Sequence, residues 1–253
     1  MKNIRLILAY DGTTFLGWQD AQEGCTIEGE LKKVLKQILQ EPLVLQAASR
    51  TDAGVHAEGQ VVNFLTQKEG LDLARLKISL NQMLPKTIRI WELDEVAADF
   101  HPTLDAHSKE YHYFLTTTQV QLPFERHYAW HIYQPLDKEK MQQATQFFIG
   151  EHDFSTFCNF CDPRPKDTIR ILYRFDLIED SATGLQFKLH GNNFLYKMVR
   201  NLVGTIVDVG LGKLSLEKAA LLLKKKERTE AGVTAPAHGL LLKKVYYSYN
   251  DRK

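Results

Sequence analysis

Residues 3–10, Asn3-Ile4-Arg5-Leu6-Ile7-Leu8-Ala9-Tyr10, form a mostly apolar run of strand length, closed by the turn pair Asp11-Gly12. Between Thr26 and Glu41 the period changes. Apolar side chains fall at Ile27, Leu31, Val34, Leu35, Ile38 and Leu39, which is one face of a helix. Thr26 is placed as its N-cap, Glu28 and Glu30 suit the positive end of the dipole, and Pro42 stops it. Leu43–Ala47 reads as a short strand leading into a loop over 50–59, and Gln60–Leu65 as the next strand. A second amphipathic helix is predicted over Leu73–Met83, ending before Pro85, and Thr87–Leu93 alternates as a closing strand. The order βαββαβ predicts a ferredoxin-like half of antiparallel strands backed by helices.

From about Asp99 the pattern restarts with longer strands. Tyr111–Thr118 is strand-like; Arg170–Ile178 and Leu185–Leu189 alternate, and Ser181-Ala182-Thr183-Gly184 supplies a hairpin turn between them. Helices are predicted over Lys138–Ile149, roughly Phe194–Val209, and Leu216–Lys226 behind a Ser215 N-cap, with a last strand at Gly239–Tyr247. The fold class expected is α+β. Two ferredoxin-like or RRM-like halves, 1–98 and 99–253, would form a largely antiparallel mixed sheet flanked by helices, with a cleft between the halves as the place for a site.

Composition narrows the class without naming a chemistry. Hydrophobic residues make up 44% and charged residues 25% of the 253, an ordinary globular balance. No apolar stretch approaches the roughly 18–20 residues that span a bilayer, and the N-terminal apolar run is too short for a signal peptide, so a cytoplasmic protein without a membrane partner is expected. Cys158-x-x-Cys161 is a lone pair where structural zinc wants four ligands, so reduced thiols are expected rather than a metal. The net charge of +1 hides an asymmetry. Residues 191–253 hold 12 Lys+Arg against 5 Asp+Glu, and the rest 20 against 26. A basic end attracts phosphates locally; equally, Lys224-Lys225-Lys226 is what a solvated helix C-terminus carries.

Chemistry concentrates in the loop Ser49-Arg50-Thr51-Asp52-Ala53-Gly54-Val55-His56, presented between two strands. A positioned carboxylate beside an arginine suits covalent catalysis, since positive charge nearby favours the ionised form of a carboxylate. The same residues also suit an Asx-turn with Arg50 as a surface partner. Gly210-Leu211-Gly212-Lys213-Leu214 is no phosphate loop, because Val207 and Leu214 stand where glycine and Ser/Thr are required.

The string Arg50-Thr51-Asp52-Ala53-Gly54-Val55-His56-Ala57, followed by Gly59-Gln60-Val61-Val62, resembles the active-site motif of the TruA family of tRNA pseudouridine synthases. Supporting segments follow in family order along nearly the whole chain: Tyr10 to Gln19, Phe100-His101, Ser108 to Tyr113, Gly150 to Phe154, Phe194 to Asn201, and Ala235 to Leu240. The resemblance implies the pseudouridine synthase fold and isomerisation of uridine in the tRNA anticodon stem-loop at positions 38, 39 and 40. It further implies a homodimer that uses no small-molecule cofactor. It makes Asp52 the nucleophile, with attack at C1′, attack at C6 and sugar deprotonation all left open. Tyr111 would stack on the flipped base, Arg200 would be the ion-pair partner of Asp52, and Arg50 would hold the extruded nucleotide or its phosphate. Leu240 would line the base pocket. Ser49, Asn63, Pro102, Lys109, Glu110 and His112 depart from the family pattern, which bears on RNA contacts rather than on Asp52, Tyr111 or Arg200.

Two other classes compete. A non-catalytic RNA-binding module would explain the predicted sheet and basic end, but it gives no reason for the Arg50, Asp52 and Arg200 set, and the RRM aromatic string is absent. A hydrolase built on Asp52 lacks a second carboxylate or histidine in the same motif to activate water.

Overall fold

The computed structural model of the chain describes residues 1–20, 24–160, 165–180 and 184–247. It divides into two compact units, one comprising Met1–His107 with the segment from Leu241 onward, the other Ser108–Leu240.

In the first unit the order is β1 (Lys2–Tyr10), α1 (Ile27–Leu39), β2 (Gln46–Ala47), β3 (His56–Thr66), α2 (Leu73–Met83) and β4 (Ile88–Val96). β1 is central, antiparallel to β3 on one side (Lys2 opposite Thr66) and to β4 on the other (Asn3 opposite Val96). Ile4, Leu6 and Leu8 alternate on its covered face, each fully buried, and Leu31 and Leu35 of α1 and Leu76 and Leu80 of α2 are buried too. Thr26 caps α1 by accepting the Gly29 N–H, as the sequence predicts, and Gln40 ends the helix in the left-handed conformation before Pro42. The expected strand at 43–47 shrinks to Gln46–Ala47, paired to β3. Val44 is 78% exposed, so nothing holds the preceding residues in a ladder. β3 starts earlier than predicted, at His56, so the tail of the Asp52 motif is itself strand.

The second unit begins with β5 (Ser108–Thr116) and β6 (Trp130–His131), which pair in parallel. It continues with α3 (Lys138–Gln146), β7 (Gly150–Asp153), β8 (Ile169–Asp180) and β9 (Gly184–Gly191). β5–β9–β8–β7 run antiparallel in that order. The predicted turn at 181–183 between β8 and β9 lies outside the described residues. α4 (Met198–Gly210) and α5 (Leu216–Lys225) complete the helices, five in all among the described residues, and Ser215 caps α5 by accepting the Lys218 N–H. Phe148, Phe157, Phe175 and Phe187 are fully buried; the first two meet edge-on at 5.2 Å. The last strand, β10 (Leu240–Tyr246), runs parallel to β3, with Leu241 opposite His56.

α4 starts four residues later than the expected Phe194. Asn193 Oδ1 accepts the Phe194 N–H, and Lys197 sits at φ 60°, so the chain before Met198 is a turn that helical geometry cannot extend through. Within α4 almost every residue is buried. Its polar positions, Asn201, Thr205 and Asp208, recur at helical spacing and so form one stripe. Among the described residues no helix is long and apolar enough to cross a membrane.

Candidate active site

The Asp52 loop in the first unit is fixed by groups on both sides of the carboxylate. Gln60, fully buried on β3, brackets Ser49: its Nε2 donates to the Ser49 carbonyl at 2.6 Å, and its Oε1 accepts the Ser49 N–H at 3.2 Å. The Tyr10 and Thr51 hydroxyls hydrogen-bond at 2.7 Å, and the Thr51 carbonyl accepts the Trp18 N–H. Beyond Asp52, the Asp52 carbonyl accepts the Val55 N–H at 3.1 Å, a turn that points the chain into β3. His56 Nδ1 accepts the Gly12 N–H at 3.1 Å. Gly17, at φ 97°, passes so close to the loop that a Cβ there would stand 2.8 Å from the Thr51 carbonyl oxygen. The Tyr10–Gln19 segment is therefore the cradle of the loop, a role its sequence does not announce. Asp52 is half-buried and Arg50 exposed. Ser49, where the family pattern has glycine, lies outside the left-handed region and keeps both backbone hydrogen bonds to Gln60.

Tyr111, Arg200 and Leu240 belong to the second unit. Lys109, Tyr111 and Tyr113 alternate along β5 and so share one face. Tyr111 is 6% exposed and is braced edge-on by the Phe194 ring, centroids 5.1 Å apart. Tyr113 donates to the Pro236 carbonyl at 2.8 Å, and burial pushes its hydroxyl well above the ordinary tyrosine range, opposed by the nearby positive charge of Arg200. Arg200, on the first turn of α4, donates from Nε to the Ala235 carbonyl at 2.7 Å, and its own carbonyl accepts the Ala235 N–H at 3.1 Å. Leu240 is buried directly after the Ala237–Gly239 turn. Sequence spacing alone joins none of these: Arg200 and Ala235 are 35 residues apart, Tyr113 and Pro236 are 123 apart.

Other departures from the family pattern acquire partners. On the opposite face of β5, Glu110 Oε1 lies 2.8 Å from His112 Nε2 and 2.7 Å from an Arg174 guanidinium nitrogen. Asn63 donates to Asn3 Oδ1 and to the Phe100 carbonyl, and the Pro102 carbonyl accepts the Tyr247 hydroxyl. The lysine run ends α5, with Lys225 3.9 Å from Glu230 and Lys226 3.0 Å from Asp153. Cys161 lies outside the described residues, and among those described no cluster of three or more His, Cys, Asp or Glu could hold a metal.

Lys109 is 5% exposed and donates to Asn193 Oδ1 at 3.0 Å, the same oxygen that accepts the Phe194 N–H. Burial first, and the positive charge of Arg170 second, push its ammonium down to about 8. Between that value and the ordinary lysine range, the unfolded chain holds a proton that the folded chain has released, so stability rises with pH over the window. Below pH 8 both states are protonated and the cost of the buried charge is felt in full. Lys109→Met is therefore expected to stabilise the protein at pH 7 relative to pH 10.5 by roughly 2–4 kcal/mol. The measurement is the urea midpoint of both proteins across that range; a difference that does not change with pH would refute the assignment.

The family model described as tRNA pseudouridine synthase matches residues 6–105 and 144–248, spanning the Asp52 loop, Arg200 and Leu240. A relative in Protochlamydia amoebophila, tRNA pseudouridine synthase A 2, is 48% identical over 98% of this chain and 95% of its own. The tRNA pseudouridine synthase A of Acetivibrio thermocellus is 39% identical over 98% of this chain and the whole of its own. Among solved structures, a chain of a Cbf5-Nop10-Gar1 complex overlays with a TM-score of 0.38 at 12% identity, covering 97% of this chain and 50% of that one. With relatives of this identity matched end to end, the chain belongs to the tRNA pseudouridine synthase family, isomerases that convert uridine to pseudouridine in tRNA.

Proposed function

We propose that this enzyme modifies uridines 38, 39 and 40 of the tRNA anticodon stem-loop, with Asp52 as nucleophile. The observation that carries the reading is the unbroken Arg50–Ala57 motif in a chain of this family. Its backbone is anchored at Ser49, Thr51 and Val55 and leaves Asp52 only half-buried. A carboxylate so held is pre-positioned, and little ordering entropy opposes its attack. The reaction breaks C1′–N1, turns the uracil and joins C5 to C1′; the C5 proton leaves and N1 gains one, so atoms and electrons balance without a redox partner.

A uridine in a stem must first leave its stack, at a cost of a few kcal/mol. Tyr111 offers a ring to stack on, which returns roughly 1–3 kcal/mol. Arg200 is the ion-pair partner of Asp52, Arg50 holds the extruded nucleotide or its phosphate, and Leu240 lines the base pocket. These roles rest on the resemblance of their motifs. The same resemblance supports a homodimer that forms the tRNA-binding surface jointly.

The test uses tRNA transcripts carrying tritium at uracil C5. Release is expected at one equivalent per modified uridine, and mapping should place the product at 38–40. No release from any tRNA would defeat the nucleophile assignment along with the activity; product confined to other positions would defeat the anticodon assignment alone.

A further inference from the structure

We propose that Arg228 is a positioning residue for the isomerisation, acting through Ala235 on Arg200. The proposal rests on the reading of Arg200 as part of the catalytic machinery.

Arg228 is half-buried, and among the described residues its hydrogen bonds go to neutral acceptors. Nη2 donates to Asn201 Oδ1 at 2.9 Å and to Thr234 Oγ1 at 2.8 Å, Nη1 to the Gly232 carbonyl at 2.9 Å and the Ala231 carbonyl at 3.4 Å, and Nε to Asn159 Oδ1 at 3.3 Å. Among the described residues no carboxylate lies at ion-pair distance from it. A planar guanidinium forked across five neutral acceptors is held to one orientation and fixes the groups that accept from it, and its worth lies in that geometry.

That geometry converges on Arg200. Asn201, the next residue of α4, is fully buried with all its hydrogen-bonding capacity used. Its amide donates to the Phe157 carbonyl and Asn159 Oδ1, and its Oδ1 accepts from Arg228 and from the Thr234 hydroxyl. The ring of Arg228, Asn159, Asn201 and Thr234 sets the rotation of the first turn of α4 and also grips the strand-like segment 231–235. Ala235, at the end of that segment, is bound to Arg200 through both its N–H and its carbonyl, the latter by Arg200 Nε. Loosening Arg228 leaves the residues of the site in place but lets the Arg200 guanidinium swing. A misplacement of about 1 Å costs roughly 100-fold in rate.

The experiment is a double-mutant cycle of Arg228→Ala with Arg200→Lys, read as single-turnover rate at saturating tRNA together with tRNA Kd. Arg200→Lys keeps the charge but has no Nε–H for Ala235. Arg228→Ala is expected to lower the rate by about 10–100-fold with Kd within threefold, and to cost nothing further in the Arg200→Lys background. Equal losses in both backgrounds would show that Arg228 acts independently of Arg200, and a loss confined to Kd would make it an RNA contact; either overturns the proposal. Should Arg228→Ala fail to fold, Thr234→Val removes one hydroxyl of the same ring, and its cycle, with a smaller loss of about 3–10-fold, decides the matter. Full activity in Arg200→Ala would instead overturn the role given to Arg200 itself.

Discussion

Asp52→Ala is expected to lower tritium release from C5 by at least about 10⁴-fold, equivalent to roughly 5.5 kcal/mol of transition-state stabilisation. Asp52→Asn should be as inactive, because the amide keeps the shape but neither the charge nor the nucleophilicity. Folding should survive both changes. The Ser49 and Thr51 backbone groups, the Thr51 hydroxyl and the turn at Val55 anchor the loop, and both variants keep these bonds. Urea midpoints should stay within about 1 kcal/mol of the parent, as expected for a half-buried polar side chain. Binding of tRNA should change by only a few-fold, since phosphate contacts supply most affinity for nucleic acid. Release within tenfold of the parent in both variants would remove Asp52 from the chemistry.

How much of this was legible in the residues depends on the range over which the physics acts. Caps and periodicity are local. Thr26 and Ser215 are the N-caps their positions predict, and α2 spans the predicted Leu73–Met83. The start of α4 escaped, because Phe194, Leu195 and Met198 keep helical spacing while Lys197 adopts a left-handed conformation that no residue type there signals. β10 was visible as a strand, but its seven residues, Leu240 to Tyr246, carry no mark of the parallel partner they find in β3. The site divides in the same way. The Arg50–Ala57 string is contiguous, and its specificity is read directly. The Tyr10–Thr51 and Gln60–Ser49 bonds, and the grip of Arg228 on α4, join residues 41, 11 and 27 positions apart, and only folding brings them together. Asn201, Thr205 and Asp208 could have been noticed as a polar stripe on an otherwise apolar helix, which requires partners wherever it is buried.

That stripe makes Gly204 the position where a single methyl should do most harm to the fold. Gly→Ala in a helix interior ordinarily stabilises by about 1 kcal/mol. In α4 the sign should reverse, because a Cβ on Gly204 would fall 1.7 Å from the Val233 carbonyl oxygen and 3.2 Å from the Ala235 nitrogen. The obstacle is backbone, so no rotamer change relieves it; the 231–235 segment must move. It is tied down by the Gly232 N–H to Thr205 Oγ1 at 3.0 Å, the Val233 N–H to Asp208 Oδ2 at 3.1 Å and the Ala235 N–H to the Arg200 carbonyl at 3.1 Å. Displacing it strands buried polar atoms of Thr205 and Asp208, each at about 1–3 kcal/mol. Gly204→Ala is therefore expected to cost roughly 3–5 kcal/mol in urea unfolding, and any folded fraction should be slow in catalysis because Ala235 has left Arg200. A midpoint equal to or above that of the parent would show that α4 and the 231–235 segment do not pack as tightly as their hydrogen bonds require.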